Sequence, residues 1–116
     1  MTENNEIMNM VKTAVDAIND KKGLDVRVID ISGISIMADY FILASGSNEN
    51  QIKAICDNLT EKLGKKNIHP KHIEGNEKTG WILLDYTDVI IHIFDEDSRA
   101  FYNLERIWSD GKDVAV

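Results

Sequence analysis

The chain has 116 residues, of which 43% are hydrophobic and 28% charged, the proportions of one soluble globular domain spanning 1–116. Its single cysteine excludes an intramolecular disulfide, and at this length a core can form without covalent staples. The 13 basic residues stand against 20 acidic ones, a formal net charge of −7. Nucleic-acid binding draws most of its strength from cations on phosphates, so direct sequence-specific binding of nucleic acid is not expected, whereas a basic protein partner fits.

Residues 1–6 are acidic and polar, without the basic start and apolar run of a secretory signal. No apolar stretch approaches the ~20 residues that cross a bilayer, so a cytoplasmic protein without membrane contact is expected. Glu3 to Lys21 has helical periodicity, with Ile7, Met10, Val11, Ala14 and Ile18 on one face. Lys21-Lys22-Gly23 ends it. Leu24 to Ile31 alternates as a half-buried strand, and Ser32 to Asp39 is a loop. Tyr40 to Ser45 is nearly all apolar and hence a central strand. Ser47 is suited to cap a helix from Asn48 to about Lys65. On that helix Cys56 shares a stripe with Ile52, Ile55, Leu59 and Leu63, the setting of an inert buried thiol. Pro70 lies in a connection, and Lys71 to Glu74 forms a short edge strand.

Residues 80–108 hold six of the eight aromatic residues: Trp81, Tyr86, Phe94, Phe101, Tyr102 and Trp108. Trp81 to Tyr86 and Val89 to Phe94 are β-branched, aromatic-rich runs around Thr87-Asp88, the pattern of a hairpin. A two-residue loop pairs Tyr86 with Val89 and Trp81 with Phe94. One face then carries Ile82, Leu84, Tyr86, Val89, Ile91 and Ile93, fit to pack on helices. The other carries Trp81, Leu83, Asp85, Ile90, His92 and Phe94, aromatic but punctuated by charge. That mixed face is the candidate working surface, since Trp, Tyr and Arg anchor interfaces. A three-residue loop would regroup one strand against the other, and Thr-Asp lacks the glycine or asparagine of a tight turn. Arg99 to Trp108 is predicted as a helix, with Ala100, Phe101, Leu104, Ile107 and Trp108 as its apolar stripe. Gly111 to Val116 is expected to be a frayed tail. The element order is α-β-β-α-β-β-β-α.

Catalysis has little support. Gly46-Ser47 sits between a strand and a helix N-terminus, where backbone N–H groups hold phosphates. Metal-assisted phosphoryl transfer also needs paired carboxylates, and Asp57 and Asp85 have no carboxylate two residues away. Asp95-x-Asp97 has the spacing but follows the last strand of the hairpin. His69, His72 and Glu74 are near in sequence, but no cysteine or further histidine completes a tetrahedral metal set. No cofactor and no catalytic group is assigned.

Trp81, Leu84-Asp85-Tyr86, Asp88-Val89, His92-Ile93-Phe94, Arg99, Phe101-Tyr102, Leu104-Glu105 and Trp108 form a long pattern. With Ala38-Asp39-Tyr40-Phe41, Ala44-Ser45-Gly46-Ser47 and Glu74-Gly75, it resembles the ribosomal silencing factor family, also called Iojap-like. The resemblance covers nearly the whole chain. Thr87 departs from it, since the family usually has glycine there, which puts the turn geometry in question.

The resemblance implies an α/β fold with a mixed sheet of about five strands packed with helices. That fold is related to nucleotidyltransferases but lacks their catalytic carboxylates, so no enzyme is expected; a nucleotide-binding protein is the alternative. It further implies docking on the large ribosomal subunit through the basic ribosomal protein uL-fourteen, blocking the small subunit and slowing translation when nutrients are scarce. A part in large-subunit biogenesis and a homodimer when free are also implied. The partner-binding residues would be Trp81, Leu83, Tyr86, His92, Phe94, Tyr102 and Trp108 for apolar contact or its support. Asp85, Arg99 and Glu105 would supply polar complementarity, with Asp39 as a secondary candidate.

Overall fold

The computed structural model describes residues 2–103, 106 and 111–114. The chain forms α1 (Thr2–Asp20), β1 (Leu24–Asp30), β2 (Tyr40–Gly46), α2 (Glu49–Lys65), β3 (His72–Glu74), β4 (Trp81–Asp85), β5 (Val89–Asp95), α3 (Glu96–Tyr102) and β6 (Lys112–Asp113). The strands make one mixed sheet in the order β3-β4-β5-β2-β1-β6. β2 and β5 run parallel at its centre, and every other neighbouring pair is antiparallel.

Helical spacing places Val11, Ala14, Val15 and Ile18 of α1 on one buried stripe, and Ile52, Ile55, Leu59 and Leu63 of α2 on another. Both stripes close over a single face of the sheet, onto Ile42, Ala44, Ile82, Leu84, Ile91 and Ile93. The alternate residues of the same strands, Ile29, Phe41, Leu43, Ile90 and Phe94, build a second cluster on the opposite face, with Trp81 and Leu83 packed at its edge. α2 belongs to the connection between the parallel strands β2 and β5, as such pairs require. Its Cys56 is partly buried, and burial pushes the thiol up to about 12, so it is not a nucleophile at neutral pH.

The hairpin has the two-residue loop. Trp81 pairs with Phe94, Leu83 with His92 and Asp85 with Ile90, and the Tyr86 N–H donates to the Val89 carbonyl at 3.0 Å. The turn itself is irregular. Thr87 lies at φ +75°, and the Asp88 N–H donates back to the Tyr86 carbonyl at 3.0 Å, a γ-turn. The Asp85 carboxylate props it open by accepting the Thr87 N–H at 2.8 Å. A β-branched residue in the left-handed region is strained, by roughly 1–3 kcal/mol. Glycine there relieves the strain but adds entropy to the unfolded chain. Thr87→Gly is therefore expected to raise unfolding stability by about 1 kcal/mol, read as a higher urea midpoint.

Four expectations need correction. The sheet has six strands, because Lys112 and Asp113 pair with Asp30 and Ile29 and are no frayed tail. An exposed 2.6 Å ion pair from Arg27 to Asp113 and a Val114 N–H bond to the Val28 carbonyl hold that strand. α2 is capped by Asn48, whose side chain accepts the Gln51 N–H at 2.8 Å, while Ser47 bonds the Gln51 side chain. α3 starts earlier, capped by Asp95 with Glu96 and Asp97 in its first turn, and ends at Tyr102 with Asn103 in the left-handed conformation. At its described positions the expected stripe does not form: Ala100 and Phe101 are exposed and Arg99 is buried, while Leu104, Ile107 and Trp108 lie outside the described residues.

Candidate docking surface

Trp81 is the centre of the second face. Gly75 and Gly80, at φ +82° and +81°, shape its approach, and a Cβ on Gly75 would collide with the Trp81 carbonyl. The indole stacks on Phe94 at 5.2 Å between centroids and tilts against Tyr102 at 4.6 Å, while Phe101 stands edge-on to Tyr102 at 5.2 Å. Trp81 Nε1–H donates to His92 Nδ1 at 3.0 Å. That bond requires the neutral imidazole with its proton on Nε2. Nε2 is buried and has no hydrogen-bond partner among the described residues, and Phe41 packs edge-on against the ring at 4.8 Å. Burial holds the His92 pKa down at about 4. Its neutrality at pH 7 keeps the indole fixed.

The candidate residues divide by depth. Trp81, Leu83 and Asp85 are half-buried and Tyr102 is 43% exposed, so these reach the surface. Phe94 and His92 lie beneath them and support the indole. Tyr86 is on the other face, buried with the helices; its hydroxyl has no partner among the described residues, and burial raises it to about 12. Arg99 is buried too. Its guanidinium donates to the Ser45 hydroxyl at 3.1 Å and reaches the Leu24 carbonyl at 3.4 Å, tying α3 to β2 and the start of β1. Asp85 is engaged by the Thr87 turn and lies 3.7 Å from His72 Nδ1. Asp39 stands at the far end of the strands from Trp81: its N–H bonds the Asp88 carbonyl, and Tyr40 pairs with Val89. Glu105 and Trp108 lie outside the described residues.

Phe101, placed in the core stripe by periodicity, is 82% exposed beside Tyr102 and extends the aromatic surface. A shallow groove of about 260 Å³, lined by Glu74, Gly75, Thr79, Trp81, Leu83 and Tyr102, opens next to the indole. It offers apolar walls with a carboxylate at the rim. The groove at the α2 N-terminus differs in kind. Its walls include Glu49, Glu77, Asp95, Glu96 and Asp97 against Lys78, a balance that repels phosphate. Among the described residues, no group of three or more His, Cys, Asp or Glu side chains is placed to hold a metal ion. None of the described helices is long and apolar enough to cross a membrane.

Two long helices on one face of a mixed sheet, and an aromatic cluster with a short helix on the other, define a small α/β protein of known architecture. A crystal structure from Bacillus halodurans, 36% identical, superposes with a TM-score of 0.83 over 94% of this chain and 99% of that one. One from Chromobacterium violaceum, 29% identical, gives 0.86 over 94% and 90%. The family described as "Ribosomal silencing factor during starvation" matches residues 4–116. The ribosomal silencing factor of Halalkalibacterium halodurans is 39% identical over 107 residues, covering 92% of each chain. That of Bacillus subtilis is 36% identical over 102 residues, covering 88% of this chain and 86% of the other. The chloroplastic Iojap protein of Zea mays is 27% identical over 96% of this chain and 48% of its own length. The chain belongs to the ribosomal silencing factor family.

Proposed function

We propose that this protein silences ribosomes in the cytoplasm, under nutrient limitation, by occupying a surface of the large ribosomal subunit that the small subunit needs. The contact is the face around Trp81, with Leu83 and Tyr102 beside it and Phe94 and His92 behind, laid against the basic ribosomal protein uL-fourteen. The observation that carries this is the fixed, partly exposed indole in an apolar groove with an acidic rim, on a chain of net charge −7. A pre-held aromatic ring loses little entropy on docking, and an acidic body is steered to a basic one. Family membership supports the silencing role, and a silencing factor is not an enzyme class. The mechanism needs no chemistry, because two bodies cannot share one surface. Glu105 and Trp108 belong to the same proposed surface on the strength of the family pattern. A supporting role in large-subunit biogenesis follows from the same binding.

The test is sucrose-gradient sedimentation with purified subunits, the small subunit added last. Co-migration with the large subunit and loss of the joined ribosome is the expected result. Joined ribosomes at full yield with saturating protein would end the proposal.

A further inference from the structure

The loop between β1 and β2 puts three apolar side chains into solvent: Ile34 is 47%, Met37 64% and Ile36 105% exposed. A wholly solvated isoleucine next to a methionine, on a chain with a filled core, asks for a cover. The loop is not slack. The Ile34 and Ser35 N–H groups donate to the Ile31 carbonyl at 3.0 and 2.8 Å, and the Met37 N–H donates to the Ser35 hydroxyl at 3.0 Å. Its two ends, Ile31 and Ala38, are packed into the cluster on the Trp81 face. The loop thus belongs to the same side of the sheet as the aromatic surface, at the other end of the strands.

The sign of the surrounding charge selects the occupant. Asp39 follows the loop directly, and Asp88 is tied to it by backbone bonds from Asp39 and Tyr40 at 2.8 and 3.2 Å. Asp30, at the end of β1, is engaged by Ser32, whose N–H and hydroxyl donate to its carboxylate at 2.9 and 2.6 Å. Among the described residues no ion pair reaches Asp39 or Asp88, so the flank toward β5, which also leads to Trp81, carries carboxylates without a paired cation. Such a rim repels phosphate and anionic lipid, and it repels its own image in a symmetric dimer. It suits a basic protein surface with an apolar recess. From the strand spacings, the two patches are roughly 20 Å apart, and a standard interface of about 800 Å² per partner spans both.

We propose that Ile34, Ile36 and Met37 form a second anchor, which seats on the same basic protein partner as Trp81 and sets the orientation of the docked molecule. This rests on the docking reading above. The test measures binding of Ile36→Ser/Met37→Ser to purified large subunits, with Trp81→Ala alongside. The changed side chains are solvated, so an unaltered melting temperature is expected. The affinity should fall about tenfold, as for a peripheral anchor. Asp39→Asn/Asp88→Asn should slow association and flatten its salt dependence. If Trp81→Ala weakens binding and the loop variant does not, the second anchor is refuted while the docking face stands. If neither variant matters, both fall. Equal loss of the loop variant on protein-free ribosomal RNA, or tighter binding by the Asn variant, would make the occupant RNA and overturn the proposal. A shifted monomer–dimer equilibrium with unchanged ribosome affinity would make it a second copy and overturn it as well.

Discussion

Trp81→Ala is expected to weaken binding to the large ribosomal subunit by about 2 kcal/mol or more, roughly thirtyfold, as for a central interface anchor. The size follows from what the indole does on both sides of the surface. Outward, it forms a wall of the groove with Leu83 and Tyr102. Inward, it rests on Phe94 and spends its only polar hydrogen on His92 Nδ1. Its removal subtracts the contact area and frees Tyr102, which loses the ring it tilts against. Trp81→Phe separates these effects, since it keeps an apolar ring but gives up the hydrogen bond. A phenylalanine variant that binds nearly as well as wild type would assign the affinity to ring contact. Calorimetry or interferometry on purified subunits, with circular dichroism to establish the fold, decides the matter. Unchanged affinity of a folded Trp81→Ala protein would remove Trp81 from the interface.

The hairpin was legible because strands alternate. Pairing Trp81 with Phe94 follows from a two-residue loop, and the two faces of β4 and β5 then sort themselves. What escaped had no local signal. β6 is two residues long, and its pairing with Ile29 and Asp30 is a contact across more than 80 positions of sequence, which no periodicity encodes. Ser47 and Asn48 are both good caps, and only the bond to Gln51 separates them. Arg99 misled most. An arginine on a short helix suggests a solvated residue, yet its long stem crosses to Ser45 and turns Phe101 outward. The aromatic surface is larger at Phe101 than helical periodicity implied, and Tyr86 lies outside it, on the helix-packed face where the alternation had placed it. The exposed Ile34, Ile36 and Met37 could have been marked from sequence, as apolar residues in a serine- and glycine-containing loop.

The largest pH effect is expected from His92. It is 3% exposed among Phe41, Trp81 and Phe94, and burial lowers its pKa from 6.5 to about 4. Above pH 6.5 the ring is neutral in both folded and unfolded chains and contributes no pH dependence. As the pH falls below 6.5, the unfolded chain binds a proton that the folded chain refuses, so stability drops until the folded ring itself titrates near 4. The gap corresponds to about 3 kcal/mol, a large share of a small domain's stability. Urea titrations of wild type and His92→Gln at pH 7, 5.5 and 4 isolate this contribution. Glutamine can still accept the Trp81 N–H through its amide oxygen and cannot be protonated in this range. The variant is less stable at pH 7 through lost packing, and between pH 7 and pH 4 the wild type should lose about 3 kcal/mol more than the variant. Parallel profiles would mean that His92 titrates as it does in the unfolded chain, and the buried neutral imidazole would be wrong. The same proton would take away the Nδ1 lone pair that holds Trp81. Ribosome binding should therefore weaken over the lower part of that range, and more in wild type than in His92→Gln.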